Sequence, residues 1–225
     1  MKLTSHSTSN KNRMEKLLPG IILCLASAAF ATAQEMPANI PFVTVEPRII
    51  TDSVAHDTDD PAIWIHPSDR SKSFIIGTDK NSDGALYSFD LQGKIVNVVK
   101  DLERPNNVDI AYGFPFNGEL IDIAVVTERL KQRIRIFKLP GLKPIDRGDL
   151  VVFDGNPDRE PMGIALYKRK KDHAFFVFVS GKSGPEEGYI GQYLLECDNQ
   201  NKIRITAVRQ FGKFSFIAGS RSKCI

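Results

Sequence analysis

The chain has 225 residues, of which 42% are hydrophobic and 25% charged, with a formal net charge of +3. It is long enough to bury a core without covalent staples, and so small an excess of positive charge implies neither nucleic acid nor an acidic membrane surface as a partner. Its three cysteines are too few for a disulfide framework, although Cys197 and Cys224 permit one bridge in an oxidising compartment.

The N-terminus reads as an export signal. Lys11, Arg13 and Lys16 form a basic start, residues 17–30 an apolar centre and Ala31-Thr32-Ala33 a small-residue cleavage site. Cleavage is expected after Ala33. The apolar run is short for a bilayer and is interrupted by Pro19 and Gly20, and the bulky Leu23 before Cys24 argues against lipid attachment. The mature protein is therefore expected to be secreted or periplasmic, with no membrane association. Lys2, Lys11, Arg13 and Lys16 against Glu15 account for all of the excess charge, so the mature chain is balanced.

A Pro-rich linker over residues 34–47 leads to three carboxylates in four residues, Asp57, Asp59 and Asp60, followed by Pro61 and an apolar run through Trp64. Proline pushes the residue before it into an extended conformation, which aims Asp60 from the mouth of a strand. Clustered oxygen ligands suit a hard cation such as Ca²⁺, whereas a solvated acidic turn needs no ligand at all. No calcium-loop spacing is present, and His56 and His66 lack the spacing of a zinc site.

Beyond Asp60, short β-rich runs alternate with turn clusters. Strands are predicted over 62–66, 73–78, 85–90, 95–99, 108–114, 120–127, 133–138, 163–167, 174–180, 190–197 and 202–210, with no amphipathic helix between them. That is an all-β chain. The apolar runs ending at Thr78-Asp79-Lys80, Thr127-Glu128-Arg129 and Ser180-Gly181-Lys182 repeat at about 50 residues, a period that fits one four-stranded propeller blade. Three blades and the beginning of a fourth are expected, and plain sandwich strands would imitate the same pattern. Residues 216–225 carry no blade pattern and read as a truncated or frame-shifted end.

Equivalent positions of a propeller point to one face, so Lys80, Arg129 and Lys182 should converge there. Cations beside clustered carboxylates suit a polyanion, most naturally a phosphate held jointly by basic side chains and divalent metal. Taken singly, each is a solvated loop charge.

These residues resemble the β-propeller phytases. The resemblance rests on Asp59-Asp60-Pro61-Ala62-Ile63-Trp64, Thr78-Asp79-Lys80, the run from Leu86 to Lys94, Asn106-Asn107-Val108-Asp109, Phe114-Pro115-Phe116-Asn117-Gly118 and Asp122-Ile123-Ala124, and covers roughly residues 45–215. It implies a six-bladed propeller, here a partial ring, that hydrolyses inositol hexakisphosphate with calcium by direct attack of metal-bound water. By the same resemblance, Lys80, Arg129 and Lys182 bind substrate phosphate and Asp60 ligates calcium, with Asp59 beside it. Glu46 matches an early calcium-binding glutamate across a gap. Asn107 and Asp109 either shape a metal site or close a turn on their own backbone.

Two departures stand out. Met162 occupies the place of a phosphate-contacting Tyr found in some members, and Ser183 that of an acidic residue, with Glu186 and Glu187 nearby. The acidic ligands of the family's later blades have no counterpart in this sequence, so the site is expected to be partial. The expected partners are inositol phosphates as substrate, with neither nucleic acid nor a protein partner implied. The alternative is a non-catalytic propeller fragment that binds a phosphorylated ligand or a protein. A calcium-dependent lactonase or phosphotriesterase suits three converging cations less well.

Overall fold

The computed structural model describes residues 44–213, which contain no α-helix. The expected export signal, most of the linker, the C-terminal tail and Cys224 lie outside the described residues.

Twelve strands form three four-stranded antiparallel sheets. The first holds β1 (Thr58–Trp64), β2 (Phe74–Asp79), β3 (Gly84–Phe89) and β4 (Ile95–Leu102). The second holds β5 (Pro105–Phe116), β6 (Glu119–Glu128), β7 (Arg133–Lys138) and the two-residue β8 (Lys143–Pro144). The third holds β9 (Pro161–Lys168), β10 (Phe175–Gly181), β11 (Glu187–Cys197) and β12 (Ile203–Lys213). In each sheet the strands follow chain order, β1-β2-β3-β4, β5-β6-β7-β8 and β9-β10-β11-β12, which is the meander of a propeller blade. The described part of the chain is thus a partial β-propeller of three blades.

Alternation makes the blades stack. Phe74 and Ile76 of β2 and Leu86 of β3 bury one face of the first blade against Val108, Val126, Phe137 and Leu142. Ile123, Val125 and Ile136 of the second blade then face Phe175, Val177, Val179 and Leu195 of the third. Burial of these side chains is worth about 1.5–3 kcal/mol each, which makes the interblade clusters the main source of cohesion. Trp64 fills the first of them and also donates its indole N–H to Asp122 Oδ2 at 2.9 Å, tying β1 to β6. The reverse face of β3 packs Ala85, Tyr87 and Phe89 against Val54.

The first strands β1, β5 and β9 lie side by side, and each is irregular at its start. Asp59 and Asp60 stand opposite Thr78 alone, Asn106 and Asn107 opposite Thr127, and Met162 and Gly163 opposite Ser180. These are β-bulges, which interrupt the ladder and re-aim side chains. A hydroxyl repairs each interruption. Thr78 Oγ1 accepts the amide of Asp60 at 3.2 Å, Thr127 Oγ1 that of Asn107 at 3.0 Å and Ser180 Oγ that of Gly163 at 3.2 Å. The same hydroxyls donate across to the next blade, Thr78 to Asn106 O at 2.6 Å and Thr127 to Met162 O at 2.8 Å.

Asp59 and Asp60 therefore lie inside β1, with Asp57 just before it, and its pairing begins at Thr58 rather than at the expected residue 62. The remaining predicted strands coincide with observed ones, and β8 is the strand the sequence pattern missed.

Thr127 is fully buried, and its hydroxyl serves one blade as acceptor and the next as donor. Thr127→Val leaves the half-buried Asn107 amide and Met162 carbonyl without this partner and is expected to cost about 1–3 kcal/mol. Urea unfolding of the purified chain measures this directly. Thr127→Ser, which keeps the hydroxyl, should recover most of the loss.

Candidate functional site

The starts of β1, β5 and β9 and the ends of β2, β6 and β10 meet at one end of the blades, because antiparallel pairing sets Thr58 against Asp79, Pro105 against Glu128 and Pro161 against Gly181. The three basic residues follow directly: Lys80, Arg129 and Lys182. Carboxylates interleave with them. Lys80 Nζ lies 2.7 Å from Asp59 Oδ1 and 3.7 Å from Asp57 Oδ2. Glu160 Oε2 serves the other two cations, 3.9 Å from Arg129 Nε and 3.7 Å from Lys182 Nζ. Asn106 Nδ2 holds the second oxygen of Asp59 at 3.1 Å.

Exposure separates the three cations. The Arg129 side chain is 4% exposed, Lys80 24% and Lys182 54%. Burial holds the Arg129 guanidinium below the ordinary arginine range, with the charge of Glu160 opposing the shift, that of Arg104 adding to it and that of Asp59 opposing it again. The Nε atoms of Arg104 and Arg129 and the Oδ1 atom of Asn106 are buried with no hydrogen-bond partner among the described residues. These three polar atoms, all at one end of the blades, are left unsatisfied by the described residues.

The other expected site residues divide differently. Asp60 accepts the amide of Val108 at 2.9 Å, so one oxygen ties β1 to β5. Asp109 is committed to backbone, taking Ile110 N and Leu166 N at 2.7 Å each. Asn107 engages Thr127 through its main chain. Glu46 is exposed and makes no hydrogen bond or ion pair among the described residues. Met162 contributes its carbonyl to the bond from Thr127, and Ser183 and Lys182 are both exposed.

Nearby carboxylates are structural. Asp79 is fully buried and takes Asp57 N at 2.8 Å and His56 Nδ1 at 3.0 Å, while Glu128 takes Glu103 N at 2.8 Å and Arg133 Nε at 2.6 Å. Each clamps the segment that enters the first strand of its blade. Sequence reasoning missed Arg104 and Glu160. Extending the repeat back to the residue before each first strand aligns Asp57, Arg104 and Glu160 and would have found them.

A family model described as phytase matches residues 14–219. The chain belongs to the phytase family. It is also 39% identical over 150 residues to a 3-phytase of Bacillus subtilis (strain 168), a match that takes in 62% of this chain and 37% of that protein. The chain thus spans well under half the length of that phytase. Within the family match fall all three blades and the whole row of charged residues from Asp57 to Lys182.

Two carboxylates of similar position should differ sharply in their effect on stability. Glu160 is 36% exposed and its ion pairs are long, so Glu160→Gln is expected to change unfolding free energy by less than about 1 kcal/mol. Glu128 is buried against Arg133, so Glu128→Gln is expected to cost about 3–5 kcal/mol. Denaturant titration of the two variants distinguishes a charge that holds the fold from one that the fold does not need.

Proposed function

We propose that this chain binds inositol phosphates at the blade end defined by Lys80, Arg129 and Lys182, and that it hydrolyses phosphomonoesters of phytate with calcium. The observation that carries the reading is the buried Arg129 guanidinium, whose Nε has no hydrogen-bond partner among the described residues and which lies between a lysine of the preceding blade and one of the following blade. A phosphate supplies acceptor oxygens to such a donor and accepts charge-assisted hydrogen bonds from both neighbouring lysines. Membership of the phytase family and the likeness to a 3-phytase support the choice of phytate over other phosphorylated ligands.

Calcium fits this site in kind. Asp57, Asp59, Asp60 and the orphaned Asn106 Oδ1 are hard oxygen donors of the type calcium prefers, and Glu46 is a further exposed candidate. Among the described residues no three carboxylate, imidazole or thiol groups converge as a metal site. They therefore offer only part of the roughly six to eight oxygens that calcium takes. When bound, calcium supplies positive charge against phosphate oxygens and lowers the pKa of coordinated water.

The side chains have separable tasks. Asp59 holds Lys80 at 2.7 Å and Glu160 sits between Arg129 and Lys182, which keeps the cations poised and limits their mutual repulsion. An arriving phosphate competes with these carboxylates for the same donors. The burial of Arg129 strengthens its share of that contact, because water screens it least. We further propose that the chain acts outside the cytoplasm, as its basic and apolar N-terminus supports.

Purified, folded chain is expected to release phosphate from phytate when calcium is present and to stop when a chelator is added. No calcium-dependent release would end the enzymatic reading and leave ligand binding as the function. Lys80→Met and Lys182→Met should each weaken phytate binding by about tenfold or more, the loss of one charge-assisted contact. Calorimetric titration measures this, and unchanged affinity in both variants would refute the site.

A further inference from the structure

The residue that enters the first strand is held alike in all three blades. Lys80 N donates to Asp57 O at 2.7 Å, Arg129 N to Arg104 O at 3.1 Å and Lys182 N to Glu160 O at 2.8 Å. In the first and third blades that residue is acidic, and its carboxylate lies 3.7 Å from the lysine of its own blade. In the second blade the charge is reversed. Arg104 stands where a carboxylate would be expected to neutralise Arg129, and among the described residues Arg104 has no ion pair of any kind.

The fold maintains this arrangement against three costs. Like charges repel, and they do so more strongly where water is withdrawn. Arg104 also adopts φ 59°, a left-handed conformation that a long side chain rarely takes. Its amide is fixed to Asn81 O at 2.8 Å and its carbonyl to Arg129 N, so the conformation is set from both sides. Gly84 permits this close approach, since a Cβ there would lie 2.7 Å from Pro105 Cδ and 2.8 Å from Asn81 O. Finally, the Nε atoms of both arginines are buried without an acceptor. The Nε–H of an arginine forms, with one terminal N–H, the parallel pair of donors that grips a phosphate through two oxygens.

We propose that Arg104 is a second phosphate-binding guanidinium, which with Arg129 forms a two-arginine cradle for one phosphate group of the substrate. This rests on the inositol phosphate reading above and adds a residue and a subsite to it. Lysines from the flanking blades then face the remaining phosphates, so the second blade carries the strongest single contact. The carboxylates at the equivalent positions restrain Lys80 and Lys182, while Arg129 keeps only its 3.9 Å pair with Glu160 and Arg104 has none among the described residues.

Arg104→Gly tests this cleanly, because glycine accepts the same backbone conformation and removes only the side chain. Without ligand, this variant is expected to melt at the same temperature as the wild type or higher, since the repulsion between the Arg104 and Arg129 charges is relieved. Its affinity for phytate should fall at least tenfold, and the thermal protection given by inorganic phosphate should disappear. Arg104→Lys, which keeps the charge and loses the fork, should fall between the two. Wild-type affinity in Arg104→Gly alongside lost affinity in Arg129→Met would overturn the cradle and leave the proposed function standing. A markedly lower melting temperature without ligand would also overturn it, by assigning Arg104 to the fold. Phosphate protection that depends on Arg104 in a chain that does not bind phytate would instead preserve the cradle and remove the proposed substrate. Failure of the wild type to bind either anion would remove both.

Discussion

The end of each blade depends on one hydroxyl. Two bulge residues of the first strand face a single residue of the second, and the ladder alone cannot satisfy the additional amide. Thr78, Thr127 and Ser180 accept that amide, and the two threonines also pass a hydrogen bond to the carbonyl of the next blade. The repair within a blade is therefore also the tie between blades. It sets how far β5 is displaced from β1 and β9 from β5, and the positions of Lys80, Arg129 and Lys182, two residues beyond each hydroxyl, follow from it.

Buried charge is used in two distinct ways around this frame. Asp79, Glu128 and Asp146 are buried with their oxygens taken by backbone amides, arginines or, for Asp79, the His56 ring, Asp146 accepting Arg135 Nε at 2.7 Å, Ile136 N at 2.9 Å and Gly148 N at 2.8 Å. A buried carboxylate that accepts several hydrogen bonds pins the chain that supplies the donors. Arg129 is as buried as these groups but is left with a single ion pair at 3.9 Å and an orphaned Nε. The difference lies in saturation rather than in burial. Asp79, Glu128 and Asp146 hold the structure through several short hydrogen bonds each, whereas Arg129 is held by none among the described side chains.

Most of the fold was legible in the sequence because alternating apolar residues report strands directly. Phe74, Ile76, Val125, Val177 and Val179 fall on buried faces for that reason. The recurring basic residue likewise gave the blade period. β8 was not legible, since Lys143 and Pro144 carry no alternation and pair only at the sheet edge. The start of β1 was displaced because a bulge breaks the two-residue period that strand prediction follows. Site residues were read less evenly. Lys80, Arg129 and Lys182 do assemble at one blade end, but composition alone does not separate Asp59, which faces Lys80, from Asp109, whose oxygens are used by the backbone of β5 and β9. Arg104 escaped notice because a lone arginine before a proline resembles an ordinary loop charge until its register with Asp57 and Glu160 is known.

That register explains how one scaffold can vary its ligand chemistry. The residue before each first strand is held through its carbonyl, and in the first two blades a buried carboxylate from the second strand also clamps the entering segment through a backbone amide. None of these bonds involves the side chain of that residue. Aspartate, arginine and glutamate can therefore occupy equivalent positions on backbones anchored in the same way. The fold constrains where a charge is displayed at this blade end and leaves its sign free, so the sequence of signs around the ring can be matched to the charges of a ligand without altering the propeller that presents them.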